Sequence, residues 1–190
     1  MGRSWHAIPG NLYLSVLLRG IGRSALPWTT LGAGVVVAEA AGPEFALKWP
    51  NDVLDSRGDK LAGVLCEASW ADGELAWVVV GIGLNLTHAP DGVGATCLGA
   101  HGIEVGLEEI AEQIRAALVG LDWATVRRRW IERSCTLGRT VRVGEIEGIA
   151  VDIAEDGALL VDTGAAVERV ITGDVGFVTD SLIDPRRRTP

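Results

Sequence analysis

Hydrophobic and polar residues alternate along several short stretches of the chain, which predicts β-strands with one buried face. Residues 11–19 alternate in this way and place apolar side chains on one side. Two longer stretches, 60–69 and 75–86, are rich in β-branched residues and are separated by Asp72-Gly73. Because Asp-Gly is a strong turn signal, these two stretches predict a β-hairpin.

A turn that is symmetric about residues 73 and 74 would place Ala62 opposite Asn85 and Gly63 opposite Leu84. The apolar face of the hairpin would then be a core face, made of Leu61, Leu65, Ile82 and Leu84. The other face would carry Lys60, Ala62, Val64 and Cys66 opposite Thr87, Asn85, Gly83 and Gly81. Glycine within a strand often marks the close approach of a ligand. This face is therefore predicted to be a floor for a small molecule, with Lys60 and Asn85 at its polar end.

A third strand is predicted just before the hairpin. Phe45, Leu47 and Trp49 alternate with less apolar residues, so Lys48 should point away from the apolar side. Pro50 should end the strand because it cannot donate a ladder hydrogen bond. The next two residues, Asn51 and Asp52, then form a predicted turn.

Two lysines and one carboxylate on neighbouring strands suit an anionic ligand that carries a divalent metal. A lysine ammonium stabilises phosphate or carboxylate, and an aspartate can hold Mg²⁺ together with bound phosphates. Each feature alone has an ordinary explanation. Lys48 or Lys60 could be a solvated edge residue, the glycines could mark a bulge, and Asn51-Asp52 could be a simple turn. Their combination in one short stretch favours a binding site.

The helical patterns lie on either side of this stretch. Pro27 is expected to begin a helix that runs to about Ala41 and stops at Gly42-Pro43. Residues 107–121 have the period of an amphipathic helix, and residues 123–133 form a second one. The second has a basic face, which is either solvated or a surface for an acidic carrier protein, and consists of Arg127, Arg128, Arg129 and Arg133.

Short alternating strands follow residue 137 and predict a small antiparallel barrel. They are expected at residues 139–143, 147–153, 158–161 and 167–171. A unit of this size would be marginal alone and should pack on the larger domain. The predicted organisation is a domain over residues 1–136, a small domain over 137–182 and a disordered tail over 183–190.

Composition narrows the function classes. The net charge of −8 and the pI near 4.9 argue against a general nucleic-acid binder, which should be basic. Cys66, Cys97 and Cys135 form neither a disulfide framework nor a zinc pattern, so buried free thiols in a reducing cytoplasm are expected. The sequence predicts no signal peptide and no membrane span, and so a cytoplasmic protein.

Three motifs together resemble those of the biotin protein ligases. They are Lys48-Trp-Pro-Asn-Asp-Val, Lys60-Leu-Ala-Gly-Val-Leu-x-Glu and Gly81-Ile-Gly-Leu-Asn-Leu. The resemblance covers nearly the whole chain. It implies an α+β fold: a class II synthetase-like mixed β-sheet with helices on one side, then a small SH3-like β-barrel.

The resemblance also implies roles for particular residues in ATP-dependent attachment of biotin to a carrier protein. Lys60 would stabilise the phosphoryl and leaving-group charge, and Lys48 would hold the biotin carboxyl and the adenylate phosphate. Asp52, together with Asn51, would hold Mg²⁺ or a bridging water. Asn85 would contact the nucleotide, and Gly63, Gly81 and Gly83 would leave room for the adenylate.

The start of the chain departs from the family pattern. Gly2-Arg3-Ser4-Trp5 resembles only the end of a glycine- and arginine-rich loop that folds over the ligand in this family. The chain is therefore expected to be N-terminally truncated and to lack residues that contact biotin. Arg3 is either a phosphate contact or part of a frayed terminus.

Two alternatives remain open at this point. One is a lipoate or octanoate ligase of the same fold. The other is a catalytically impaired adenylate-binding module, because half of the site is expected to be missing. The implied partners are a biotin carboxyl carrier protein domain, ATP, biotin and Mg²⁺, with a homodimer possible and no nucleic acid or membrane.

Overall fold

The computed structural model describes residues 8–91 and 94–178, which form two antiparallel sheets and three α-helices. The N-terminal part contains β1 (Leu12–Leu18), α1 (Thr29–Ala41), β2 (Ala46–Lys48), β3 (Asp52–Leu54), β4 (Lys60–Ala71), β5 (Glu74–Leu84), α2 (Leu107–Val119) and α3 (Trp123–Arg133). The C-terminal part contains β6 (Thr140–Val143), β7 (Ile146–Ile153), β8 (Leu159–Asp162), β9 (Val167–Val170) and β10 (Gly176–Phe177). Short 3₁₀ helices cover Leu26–Trp28 and Leu98–His101.

The first sheet has the strand order β1-β5-β4-β3-β2, and each neighbouring pair is antiparallel. Parallel pairing in the described ranges is confined to two isolated bridges, Leu47 with Ser134 and Lys60 with Ala95. The second sheet has the order β10-β6-β7-β8-β9. The α+β prediction is therefore confirmed.

Helix α1 lies at the centre of the N-terminal core, where it contacts the sheet, α2 and α3. Its sequence is nearly all Ala, Gly and Val, so other elements can approach its backbone closely. A Cβ atom added at Gly32 would lie only 3.0 Å from the Leu121 side chain, just before α3. The three helices cover one face of the first sheet and leave the other face open, as the burial pattern of β1 also shows.

The predicted elements are largely confirmed. Residues 11–19 contain β1, whose buried positions Leu12, Val16 and Leu18 fall on the predicted side. Helix α3 has the predicted bounds, and α2 ends two residues earlier than predicted. Pro27 is the second residue of the 3₁₀ helix that begins at Leu26, and α1 starts at Thr29, two residues later than predicted.

The predicted hairpin forms, but its predicted register was wrong. The turn is a two-residue turn between Ala71 and Glu74, with positive φ at Asp72 (52°) and Gly73 (79°), as a type I′ turn requires. A register shift next to Ser69 then moves the pairing, so Gly63 faces Gly83 and Ala62 faces Leu84. Because side chains alternate along a strand, this one-residue error exchanged the two faces of β4 relative to β5. Val64 lies in the core, whereas Leu65 is exposed.

The two parts of the chain are joined by hydrogen bonds from tryptophan side chains. The Trp28 indole donates to the Glu155 carbonyl at 2.7 Å, and the Trp49 indole donates to the Gly157 carbonyl at 3.0 Å. Gly157 has φ 79°, and a Cβ atom there would lie 2.7 Å from the Pro27 carbonyl oxygen, so only glycine fits this contact. The small C-terminal sheet is thus fixed against the larger part, as its size led us to expect.

The C-terminal strands occur close to their predicted positions, and β10 is an additional edge strand. Among the described residues, no strand pairing joins β9 to β10 to close the predicted barrel. The boundary after residue 136 stays a prediction. The predicted tail over 183–190 lies outside the described residues. No helix in the described ranges is long and apolar enough to cross a membrane.

The three cysteines are free thiols, and Cys97 and Cys135 are buried as predicted, whereas Cys66 is half-buried. Burial raises the pKa of Cys66 to about 11. Burial also raises the pKa of Cys135 to about 12, although the nearby charges of Arg139 and Lys48 oppose the rise. In the unfolded chain these thiols would have the ordinary thiol pKa of 9.0.

We expect alkaline pH to destabilise the fold through these thiols. The native state keeps them protonated while the unfolded state ionises, so their contribution is complete below pH 9.0 and is lost as the pH rises towards 11 or 12. Thermal melts at pH 8 and pH 10.5 would measure the loss, and Cys66→Ala should reduce it. An equal loss in Cys66→Ala and wild type would contradict a role for this thiol.

Candidate active site

A row of residues crosses the open face of the first sheet at one register level. Lys48 on β2 pairs with Asp52 on β3, and Asp52 pairs with Gly63 on β4. Gly63 pairs with Gly83 on β5, and Gly83 pairs with Tyr13 on β1. Paired residues of antiparallel strands project to the same side, so this row lies on one face. The two central positions have no side chain. The row is a shallow floor with charged groups at one end and an aromatic ring at the other.

Lys60 reaches this floor from the start of β4. Its Nζ lies 2.5 Å from Asp52 Oδ1, and the two side chains are 43% and 21% exposed. A bulge near Leu54 brings Lys60 to the same side as Asp52. Asp52 is the first residue of β3 and not part of the turn as predicted, because the turn runs through Trp49-Pro50-Asn51. The ammonium group remains accessible to a ligand above the sheet.

Lys48 occupies the other side of Asp52 and extends towards the C-terminal sheet. Phe45, Leu47 and Trp49 are buried, so Lys48 points away from the core as predicted. Its Nζ lies 5.5 Å from the centroid of the Phe177 ring, within the range of a cation–π contact. The structure thus brings Lys48, Asp52 and Lys60 together, and it adds an aromatic residue that the sequence analysis missed.

Gly81 and Gly83 lie on the open face as predicted, and Gly63, which the predicted register placed opposite Leu84 on the core face, lies there too. Gly81 and Gly83 share the open face with Gly63 and Leu65, not with Val64 and Cys66 as predicted. A Cβ atom at Gly81 would meet only the Leu65 carbonyl oxygen, at 3.4 Å, so the fold itself does not require glycine there. Bare backbone at Gly81 is therefore consistent with space kept for a ligand, and Gly63 and Gly83 are buried glycines beside it.

Asn51 has a structural bond that the sequence did not predict. Its side-chain nitrogen donates to the Val64 carbonyl at 3.0 Å, and its own carbonyl accepts from the Val64 amide at 2.9 Å. These two bonds tie the turn after β2 to β4. They hold Asp52 next to Lys60, and the predicted role of Asn51 at a metal stays a prediction.

The Asn85 side chain is held within the protein. It donates to the Thr96 carbonyl at 3.0 Å and the Lys60 carbonyl at 3.4 Å, and it accepts from Asn11 at 3.2 Å. Asn11 is buried, and its oxygen accepts from the backbone amides of Leu86 and Thr87. The Asn11–Asn85 pair therefore fixes the end of β5 and the segment after it. The predicted contact of Asn85 with the nucleotide stays a prediction.

We expect Asn11→Ala to destabilise the protein. The change leaves the amides of Leu86 and Thr87 without their acceptor, and a buried unsatisfied group costs ~1–3 kcal/mol. For a chain of this size the melting temperature should fall by ~4–10 °C. Ser15→Ala, at an exposed position of β1, is the matched control. A melting temperature within 2 °C of wild type for Asn11→Ala would contradict the structural role.

Lysine is scarce in this chain, which the sequence analysis overlooked. The chain has 17 lysine and arginine residues, and only Lys48 and Lys60 are lysines. Both lie beside Asp52, whereas the other cations along the chain are arginines. A lysine ammonium is a compact point charge, and an arginine is a planar fork, so the two are not interchangeable at a phosphate. The position of both lysines is the strongest signal for this site.

The arginines of α3 have partners within the protein. Arg127 pairs with Asp152 at 2.7 Å, and Arg129 pairs with Glu39 at 2.5 Å. Arg128 pairs with Glu132 at 3.3 Å, and Arg133 donates to the Gly42 carbonyl at 3.2 Å. Intramolecular contacts therefore account for the basic face of α3. Arg3, the remaining predicted site residue, lies outside the described residues.

The residues around Asp52 suit a metal ion that is bound to a nucleotide. They suit a metal ion held only by protein side chains less well. The described residues contain no cluster of three or more His, Cys, Asp or Glu side chains that could hold an ion. Mg²⁺ commonly binds through one or two carboxylates together with substrate phosphates and water. A single carboxylate next to two lysines is in keeping with that mode.

Comparisons with known proteins place this fold in a class of ligases. Residues 1–85 match the model of the Biotin/lipoate A/B protein ligase family. Residues 131–178 match the Biotin protein ligase C terminal domain. The chain belongs to the biotin protein ligase family.

Individual relatives support this membership. A biotin–[acetyl-CoA-carboxylase] ligase of Mycobacterium tuberculosis is 35% identical, over 92% of this chain and 72% of the relative. A ligase with the same name from Paracoccus denitrificans is 32% identical, over 93% and 84%. Among solved structures, the biotin protein ligase from Aquifex aeolicus in complex with biotin and ATP has a TM-score of 0.72 and 26% identity, over 92% of this chain and 81% of that chain.

Proposed function

We propose that this protein attaches biotin to a lysine of a biotin carboxyl carrier protein domain, using ATP. In the first step a biotin carboxylate oxygen bonds to the α-phosphorus of ATP, and pyrophosphate leaves. In the second step the carrier lysine amine attacks the acyl carbon, AMP leaves, and the amine loses a proton. The observation that carries the proposal is the placement of both lysines of the chain beside Asp52 on a floor of glycines.

The first step joins two anions, so its barrier is raised by electrostatic repulsion. Preorganised cations that face the developing charge are the natural means to lower such a barrier. Lys60 lies beside Asp52 and faces the phosphoryl group and the leaving pyrophosphate. Lys48, on the other side of Asp52, holds the biotin carboxylate and the α-phosphate.

Asp52 has two tasks in this proposal. Its carboxylate orients the Lys60 ammonium through the 2.5 Å contact. It is also the protein group that would hold Mg²⁺ bound to ATP, which when present would neutralise phosphate charge. Asn51 supports both tasks because its bonds to Val64 fix the turn before Asp52.

Biotin is favoured over lipoate or octanoate by the C-terminal part of the chain. Residues 131–178 match a domain model that is specific to biotin protein ligases. The carrier is proposed to be that of acetyl-CoA carboxylase, because the relatives from Mycobacterium tuberculosis and Paracoccus denitrificans are named for it. The reaction would take place in the cytoplasm.

The test is to incubate the protein with ATP, Mg²⁺ and either biotin, lipoate or octanoate, and to detect the acyl-adenylate by mass spectrometry. The second stage adds a carrier domain and measures its mass increase. We expect biotinyl-adenylate and biotinylated carrier only in the biotin arm. A lipoyl or octanoyl product would favour a lipoate or octanoate ligase. Binding of added biotinyl-adenylate, without its formation from biotin and ATP, would favour a non-catalytic adenylate-binding module.

A further inference from the structure

The C-terminal sheet contributes an aromatic ring to the proposed site. Phe177 lies on β10, an edge strand that pairs with β6 at two positions, Gly176 with Arg142 and Phe177 with Val141. The ring is half-buried, and its centroid lies 5.5 Å from Lys48 Nζ. A residue 129 positions later in the chain thus contacts one of the two lysines of the site.

The Phe177 ring also contacts a residue of the C-terminal part, Arg139. The Arg139 guanidinium carbon lies 3.6 Å from the Phe177 centroid, the distance of a close stack. Arg139 and Lys48 also both lie near the Cys135 thiol, where their charges oppose the rise of its pKa that burial causes. Two cations from different parts of the protein therefore meet around one ring.

A lysine on a short strand has a reason to need such support. Its four-carbon chain is flexible, and β2 is only three residues long. Electrostatic catalysis requires that the charge is already in place before the reaction begins. The face of an aromatic ring attracts an ammonium group and restricts where it can lie.

We propose that Phe177 is a positioning residue, which holds the Lys48 ammonium over the phosphate site while Arg139 stacks on the ring and fixes it. This proposal rests on the proposed function, since it refines how the same site is assembled. It also assigns the C-terminal sheet a task in catalysis, in addition to its packing against the larger part.

The kinetic test compares Phe177→Leu with Phe177→Tyr. Leucine keeps an apolar side chain but removes the π face, and tyrosine retains the ring. We expect Phe177→Leu to lower kcat/KM for ATP in biotinyl-adenylate formation by about tenfold. The change should be mainly an increase in KM, because Lys48 would contact the α-phosphate of ATP as soon as ATP binds. Phe177→Tyr should restore values within about twofold of wild type. Melting temperatures should change little in either variant, because the ring is half-buried.

A second measurement does not depend on activity. Because the chain has only two lysines, selective ¹³C labelling of lysine yields two side-chain signals, and a Lys60→Arg variant assigns them. The ring current of Phe177 should shift the Lys48 Cε–Hε signal upfield in wild type and in Phe177→Tyr, and the shift should vanish in Phe177→Leu.

The outcomes separate this proposal from the proposed function. An unshifted Lys48 signal in wild type overturns the positioning role. Wild-type kinetics in Phe177→Leu, or equal impairment in the leucine and tyrosine variants, also overturns it. A wild-type protein that makes no adenylate would reject the proposed function, and the NMR shift would still decide whether the ring holds Lys48.

Discussion

Replacing Lys60 with alanine should lower the rate of biotin-dependent ATP–pyrophosphate exchange by ~10²–10³-fold, the usual effect of removing one preorganised charge from a transition state. In the proposed mechanism Lys60 faces the phosphoryl group and the departing pyrophosphate, where negative charge accumulates. Exchange measured with saturating biotin and varied ATP reports this step directly, before any carrier is involved.

The same change should affect stability much less. Lys60 is 43% exposed and Asp52 21% exposed, so solvent screens their ion pair. Partly exposed pairs usually contribute ~0–1 kcal/mol, and the melting temperature should fall by no more than a few degrees. This separation of activity from stability distinguishes a catalytic lysine from a structural one.

The matched control is Arg115→Ala on α2. Arg115 also forms an ion pair, with Glu112 at 2.6 Å, but on an exposed helix outside the site. Its removal should leave exchange unchanged. Equal exchange rates in Lys60→Ala and Arg115→Ala would reject the assignment of Lys60.

Replacing Gly83 with valine should lower the affinity for a non-hydrolysable biotinyl-adenylate analogue by at least ~100-fold, because a side chain would rise from the centre of the floor. Gly83 pairs with Gly63 on one side and with Tyr13 on the other, so a valine there would stand between the bare Gly63 position and the aromatic end of the row. The factor corresponds to ~2.7 kcal/mol of lost contact with the ligand. Isothermal titration measures it.

Valine is not expected to unfold the strand. Gly83 has no positive φ, and valine has a higher β-propensity than glycine. The control is Ala68→Val, which adds the same branched side chain at an exposed position further along the hairpin. It should bind the analogue as wild type does. Unchanged affinity in Gly83→Val, with a folded protein, would show that the ligand lies elsewhere.

The predictions from sequence succeeded where the signal is local. The period of α2 and α3, the alternation of β1 and the strands after residue 137 depend on neighbouring residues, and these elements formed close to their predicted bounds. The three motifs around Lys48, Lys60 and Gly81 were also sufficient to identify the family. Side chains that belong to one strand or one turn are predictable in this way.

The predictions failed where one residue decides a register. The Asp72-Gly73 turn was recognised, but its flanking pair is Ala71 with Glu74, and the shift next to Ser69 adds a further offset. The turn offset alone is two residues and keeps the faces, whereas the one-residue shift next to Ser69 exchanges them, and no local pattern reports that shift. Gly81 and Gly83 were therefore assigned to the open face correctly, and Gly63 and Val64 were assigned to the wrong faces.

Contacts between distant parts of the chain were also missed. Asn11 binds the end of β5, and Phe177 contacts Lys48, yet neither pair shares a periodic pattern or a motif. One available signal was overlooked. A chain with 17 basic residues and two lysines, both within the motifs, already marks those lysines as special.

The most direct test of the site is to label the two lysines with an amine-reactive reagent and to quantify the Lys48 and Lys60 peptides by mass spectrometry. The experiment compares the free protein with the protein saturated with the non-hydrolysable biotinyl-adenylate analogue. An added reference peptide that contains one lysine reports the activity of the reagent in both samples. We predict that the analogue protects both lysines and leaves the reference peptide as reactive as before. If the analogue saturates the protein but protects neither lysine, the result would contradict the placement of the adenylate on the open face of the first sheet.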